Sequence, residues 1–214
     1  MKIPLFVLLA LLLPDPLLAQ QSLLVANQGS RVAFQPAHTG EIRFSAAAIA
    51  TGGEAEADFI GLNTYVVSPR SKLFLTAFQG TSLTSALHRL APHVPLNELA
   101  RSGTYQFSFY VDGQLVYLTI LPPGTVPLAI RNDETVLHQA FINPGEPVRE
   151  WGPLLWDQFL AHGGVRALAQ GQHLLRIELR PYFQNPALRD APVLAAGQVA
   201  LDVAQTLAPR SLAR

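Results

Sequence analysis

Asp112-Gly113 separates two runs of alternating side chains, and no other feature of the chain restricts its fold as much. Before it, Tyr105, Phe107, Phe109 and Val111 share one side of an extended backbone, with Gln106 and Ser108 on the other. A helix would divide those four residues between opposite sides, whereas a strand, with its period of two, collects them on one face. Asp-Gly supplies the two positive φ angles of a type I′ turn, whose twist matches that of the strands it joins. Thr104 to Leu121 is therefore expected to form a two-residue β-hairpin, ended by Pro122-Pro123-Gly124.

The same period recurs downstream. In His173–Tyr182, Leu175, Ile177 and Leu179 point inward while Arg176, Glu178 and Arg180 point out. Gln198–Val203 repeats the pattern with Val199, Leu201 and Val203, and Gly171 and Gly197 mark turns before these two strands. Further strands are expected at Glu41–Ser45, Asn63–Val67, Val126–Ile130 and Thr135–Ile142, with short ones at Leu23–Val25 and Val32–Phe34. Lys72–Phe78 fits either a strand or a helix. Thr81–Leu90 has Leu83, Leu87 and Leu90 at helical spacing behind a Thr81 or Ser82 cap, and Pro95–Ala100 forms a second helical turn ended near Gly103. Leu154–His162 pairs Leu155 with Phe159 and Trp156 with Leu160, one helical turn apart, and stops at Gly163-Gly164. Ala46–Asp58 reads as a flexible loop, rich in Ala and Gly with three acids. The expected fold is mainly β: an antiparallel β-sandwich with two or three short helical insertions. The alternative is an α+β domain built on a single sheet.

At the N-terminus, Lys2 precedes the apolar run Leu5–Leu13, which Pro14-Asp15-Pro16 interrupts before Ala19-Gln20. That is the layout of a secretory signal peptide with Ala19 as its last residue. A spanning helix needs roughly 20 apolar residues, and the prolines break this run too early. The expectation is a leader at 1–19 and a single β-rich domain at 20–214, exported to the periplasm or beyond, with no membrane span in the mature chain. Export without any cysteine rules out disulfides, thiolate metal sites and thiol nucleophiles, so the fold depends on its core. The 49% hydrophobic content is enough to build one. Fifteen basic residues balance fifteen acidic ones, which leaves no surplus for a nucleic acid or an anionic membrane to attract.

Catalytic patterns are tested by their spacing. Neither Gly-x-Ser-x-Gly nor Ser-x-x-Lys occurs, and Ser68-Pro-Arg-Ser71-Lys72 is better placed in a turn. None of His38, His88, His93, His138, His162 and His173 is spaced to share a metal with another, so all six are expected to be structural. Glu54, Glu56 and Asp58 alternate as calcium ligands can, yet the glycine and distal glutamate of a calcium loop are missing. A solvated loop is the plainer expectation. No catalytic, metal or cofactor residue is assigned. Trp156 is expected in the core, and Trp151, beside Gly152-Pro153 in a loop, is the candidate for an exposed ligand contact of the sugar-stacking kind.

Phe107-Ser108-Phe109-Tyr110-Val111-Asp112-Gly113 and Gly171-Gln172-His173-Leu174-Leu175-Arg176-Ile177-Glu178-Leu179-Arg180-Pro181-Tyr182 resemble a non-catalytic accessory β-sandwich region. Such regions accompany exported bacterial serine hydrolases of the β-lactamase and penicillin-binding type. The same segments are similar to immunoglobulin-like modules of secreted glycosidases. The resemblance runs from about Gly103 to Val203 and carries over no catalytic residue, because Ser-x-x-Lys is absent. It implies a stand-alone non-catalytic module. The expected function is an exported binding or structural module, not an enzyme, acting on a cell-envelope protein or glycan without a cofactor. The alternative is an extracytoplasmic hydrolase whose site is assembled from scattered acids and histidines.

Overall fold

The computed structural model describes residues 34–50, 52, 54–61, 63–122, 134–145, 151–184 and 191–210, apart from the side chains of Gln35 and Trp151. The leader, the Leu23–Val25 strand, the Val126–Ile130 strand and all of Val32–Phe34 but its last residue lie outside the described residues, and Phe34 itself has helical rather than extended backbone.

The hairpin is where the alternation puts it. β4 (Thr104–Val111) and β5 (Gln114–Ile120) are joined by Asp112 at φ 51° and Gly113 at φ 84°, the two left-handed positions of a type I′ turn. Gly113→Val is therefore expected to destabilise the protein by about 1–2 kcal/mol, the cost of forcing an L side chain into that region. An unchanged melting temperature would show that the turn tolerates a β-branched residue.

A large sheet grows outward from the hairpin. β7 (Gly171–Tyr182) lies beside β4, β8 (Ala195–Val203) beside β7, and β2 (Thr64–Val67) beside β8, in the order β2-β8-β7-β4-β5. A smaller sheet has the order β1-β3-β6, with β1 at Ile42–Ser45, β3 at Leu73–Phe78 and β6 at Val136–Ile142. Two sheets exclude the single-sheet alternative, and Lys72–Phe78 resolves to a strand. Every described strand ladder is antiparallel except β2 with β8, where Thr64 to Val67 run alongside Ala200 to Val203; the isolated bridge from Glu41 to Ala196 is parallel too. Local alternation does not reveal strand direction. Parallel neighbours need a long connection, and most of the chain lies between these two.

The inner faces close on one core. Ile42, Phe44, Leu75, Ala77, Leu137 and Phe141 meet Tyr105, Phe107, Phe109, Leu175, Ile177, Leu179, Val199 and Leu201. The Tyr105 hydroxyl enters that core only because the amide of Gln79 pairs with it, and burial pushes its pKa up to about 12. Helices α1 (Leu83–Leu90) and α2 (Leu96–Ser102) add Leu83, Leu87 and Leu99, and Ser82 caps α1 by accepting from the Ser85 amide. The third helix, α3, spans Trp151–Phe159 and packs on β6.

Helix α3 begins three residues earlier than its apolar rows suggest. Gly152 and Pro153 belong to its first turn, where a proline costs no hydrogen bond. Gly152 is required there because a side chain would overlap the Ala140 carbonyl. Trp151 therefore starts a helix instead of sitting in a loop, and its side chain lies outside what is described. Gly197 corrects a second expectation. It lies inside β8 rather than in a turn before it, and the Ile42 carbonyl rests where its side chain would be. There β1 crosses the large sheet, through a bridge from Glu41 to Ala196 and a 2.9 Å bond from the Ala196 amide to the Gly40 carbonyl.

Candidate functional site

Each sheet has an outer face, and the two differ in chemistry. On the three-stranded sheet, register places Arg43, Thr76 and His138 side by side on β1, β3 and β6. Glu54 and Glu56 lie over this row. Glu56 accepts two hydrogen bonds from the Arg43 guanidinium, at 2.6 and 2.5 Å, and lies 3.5 Å from His38 Nε2. Those hydrogen bonds raise the Arg43 pKa and hold the Glu56 carboxyl below its ordinary value. Arg43 also lies over the Phe59 ring, 4.8 Å from its centroid. Glu54 accepts from His138 Nε2 at 2.9 Å, and its side chain is only 5% exposed.

The three acids that alternate in sequence are therefore neither solvated together nor aimed at one ion. Glu54 and Glu56 fasten the segment to the sheet at two points, while Asp58 accepts from the Ala55 amide. Among the described residues no group of three or more ligating side chains converges on a metal position.

His138 completes a relay that spacing alone could not reveal. A carboxylate only accepts, so Nε2 donates to Glu54, and Nδ1 lies 3.0 Å from the Thr76 hydroxyl, from which a neutral ring accepts. Hydroxyl, imidazole and carboxylate thus stand in the order of a nucleophilic triad. Thr76, however, is only 2% exposed and sits in mid-strand. Attack would require a reacting carbon within about 3–3.5 Å of its oxygen. Beside the row, a groove of about 540 Å³ is lined by His38, Glu41, Arg43, Glu56 and Gln198 over Gly197. Its ionic groups are largely engaged with one another.

The remaining histidines each have their own surroundings. His162 donates to the Gln158 carbonyl and stacks on Tyr117, His93 is exposed, and His88 has a buried Nδ1 with no partner among the described residues. His173 is more informative. Its Nδ1 meets Asp112 at 2.8 Å and its Nε2 meets the Ala169 carbonyl at 2.8 Å. Both partners only accept, so both nitrogens donate and the ring is an imidazolium. The hydrogen bond to Asp112 raises its pKa above 6.5. The Leu174 amide and His173 together hold Asp112 below 3.8.

The signs fix the pH window of this contact. The Asp112 contribution is present above 3.8 and fades as pH falls through its lowered value; that of His173 is present below 6.5 and fades as pH rises through its raised value. The contact is therefore strongest between those limits. The His173 ring is expected to titrate above 6.5 by NMR and to move back toward 6.5 in Asp112→Asn, which keeps the turn. A parent midpoint at or below 6.5 would contradict the contact.

The outer face of the five-stranded sheet is different. Among the described residues, five of the seven exposed large hydrophobic ones lie on it: Val66, Leu115, Leu118, Ile120 and Leu174. Leu115 could not share a face with Leu118 by simple alternation. A bulge opposite Phe109 and Tyr110 shifts the register, so that Leu115 pairs with Tyr110 and Leu118 with Ser108. Between these residues, Arg176, Glu178 and Arg180 follow one another up β7. Glu178 was expected to face water, yet it is buried. It accepts from Arg176 at 2.8 Å, Arg180 at 3.1 Å and the Tyr110 hydroxyl at 3.3 Å. Burial pushes its pKa up, but the two guanidiniums outweigh that and hold the carboxyl below its ordinary value. Arg180 also donates to the Ala191 carbonyl.

No family model matches the chain, and no curated protein matches it. Among solved structures it is similar to the CARDB domain of the PF1109 protein from Pyrococcus furiosus, whose crystal structure is described as a complex with di-metal ions. That match has 7% identity and a TM-score of 0.25 over 78% of this chain and 96% of that one. The solution structure of the same domain matches at 8% identity and a TM-score of 0.25, over 78% and 97%. A likeness at this level carries no inference about fold, metal or partner. Among the described residues no helix is long and apolar enough to cross a membrane.

Proposed function

We propose that the protein is an exported, non-catalytic binding module that contacts a cell-envelope protein through the outer face of its five-stranded sheet. The observation that carries this reading is the row of exposed Leu115, Leu118 and Ile120 along β5, two strands from Arg176, Glu178 and Arg180 on β7, with Leu174 at the end of the β7 row. Exposed apolar residues scattered singly need no explanation, but three along one strand, as in the β5 row, favour an interaction surface. Arginine and tyrosine among aliphatic side chains is a composition that protein interfaces favour. A glycan platform would present flat aromatic rings to the sugar instead. Here Tyr110 is half-buried, with its hydroxyl bound to Glu178. The reading agrees with the resemblance to accessory modules of exported hydrolases.

One experiment tests both export and contact. The chain is expressed with its native leader in a Gram-negative host, carrying a photo-crosslinking residue at Leu118 or, as a control, at exposed His93. The exported protein should begin at Gln20 by intact mass, and envelope proteins should crosslink from position 118 far more than from 93. Retention of Lys2 would refute export, and equal crosslinking from both sites would refute the face.

The second reading, a hydrolase, has one observation in its favour, the Thr76–His138–Glu54 relay. The burial of Thr76 places it below the binding reading. The purified chain is expected to resist fluorophosphonate labelling; stoichiometric labelling of Thr76 would reverse the order.

A further inference from the structure

We infer that the partner presents to this face an amphipathic helix with an apolar stripe flanked by carboxylates. The inference rests on the binding reading above and specifies what that face recognises.

Two ladders run along the face. Leu115, Leu118 and Ile120 line β5, and Arg176, Glu178 and Arg180 line β7, with β4 between them. Neighbouring strands lie about 4.8 Å apart, so the ladders are about 10 Å apart. An α-helix is about 10–12 Å across. A helix lying over β4 can therefore rest its apolar stripe on the leucine ladder while one polar flank reaches the arginines. Buried Ser108 and partly buried Gln106 lie beneath it, and Tyr110, its hydroxyl bound to Glu178, stands between Leu115 and Arg176 at the turn end of the path, where the helix would rest against its ring.

Charge selects the sign of that flank. Two guanidiniums share the single carboxylate of Glu178, so the cluster keeps one positive charge in a chain whose net charge is zero. Arg176 gives Glu178 one 2.8 Å hydrogen bond through Nη2, and its side chain is 49% exposed, leaving further donors directed to solvent. An incoming carboxylate would find a guanidinium already held in place by Glu178, so little side-chain entropy is lost on binding. Among the described residues, the nearest other unpaired acid on the face, Asp202, lies opposite Gln172, four residues along β7 from Arg176. That is about 13 Å at about 3.3 Å per residue, beyond a Debye length of about 8 Å. It does not cancel the local charge.

The test uses two synthetic helical peptides with the same leucine stripe, one flanked by glutamates and the other by lysines, added to the isotope-labelled protein. The glutamate peptide is expected to shift amide resonances on β4, β5 and β7 only, and to bind at least about tenfold more weakly to Arg176→Gln, or at high salt. Both positions chosen for substitution are exposed, and Glu178 keeps Arg180 and the Tyr110 hydroxyl as partners, so Arg176→Gln and Leu118→Ser should remain folded. Leu118→Ser should weaken both peptides. If the lysine peptide binds as well as the glutamate one, or Arg176→Gln changes nothing, the acidic partner is refuted while crosslinking from Leu118 still supports a binding face. If neither peptide binds, the helical partner is refuted. Loss of site-specific crosslinking as well would refute the binding reading itself.

Discussion

Trp156→Ala is expected to lose about 3–5 kcal/mol of stability, the usual cost of emptying a buried aromatic site. The indole is 5% exposed, edge-on to Phe141 at 5.2 Å between ring centroids, and 5.4 Å from Phe159. Phe141 in turn stacks on Phe109 of the hairpin at 5.9 Å. The cavity would therefore open where α3, β6 and β4 meet, and rings held from three sides cannot collapse into it. In a chain of this size the melting temperature should fall by about 6–20 °C. The parent indole should fluoresce at short wavelength and resist quenching by acrylamide. Free quenching together with an unchanged melting temperature would mean that Trp156 is exposed, and a ligand-stacking role for it would then lead.

Gly197→Ala should be nearly as damaging, although it adds one methyl group. That methyl would overlap the Ile42 carbonyl carbon and oxygen, which are backbone and cannot rotate away. Relief requires β1 to lift from β8, with loss of the Glu41–Ala196 bridge and of the bond from the Ala196 amide to the Gly40 carbonyl. Overpacking against side chains costs about 1–3 kcal/mol. A clash with backbone at the seam between two sheets should reach about 3 kcal/mol or exceed it. Gly145→Ala, where a methyl would make only ordinary contact with Asn143, is the control and should melt like the parent. Equal melting of Gly197→Ala and the parent would show that the sheets do not meet closely at this point.

The parts of the fold readable in advance were those encoded by neighbours in the chain. The Asp112-Gly113 hairpin, the inward Leu175, Ile177 and Leu179, the Ser82-capped helix and the buried rows of α3 all rest on spacings within a dozen residues. The candidate site was largely unreadable. The positions of Glu54, Glu56 and Glu178 were visible as acids, but not that each would be held by basic groups. Arg43, Thr76 and His138 lie far apart in sequence and become neighbours only through strand register. A one-residue slip in either pairing would send them to opposite faces.

The sequence by itself determined that strands alternate, where the hairpin turns, which helix rows are apolar and that no cysteine takes part. These follow from local backbone sterics and the burial of side chains with a fixed period. Tertiary structure alone decided that β2 runs parallel to β8, that Gly197 marks a crossing of strands and that Glu178 is buried between two arginines. It also decided that the bulge at Phe109 and Tyr110 brings Leu115 onto the face of Leu118 and Ile120. Pairing between distant segments is chosen by the packing of the whole core, and a one-residue change in register, which no local pattern records, turns a side chain from one face of a sheet to the other.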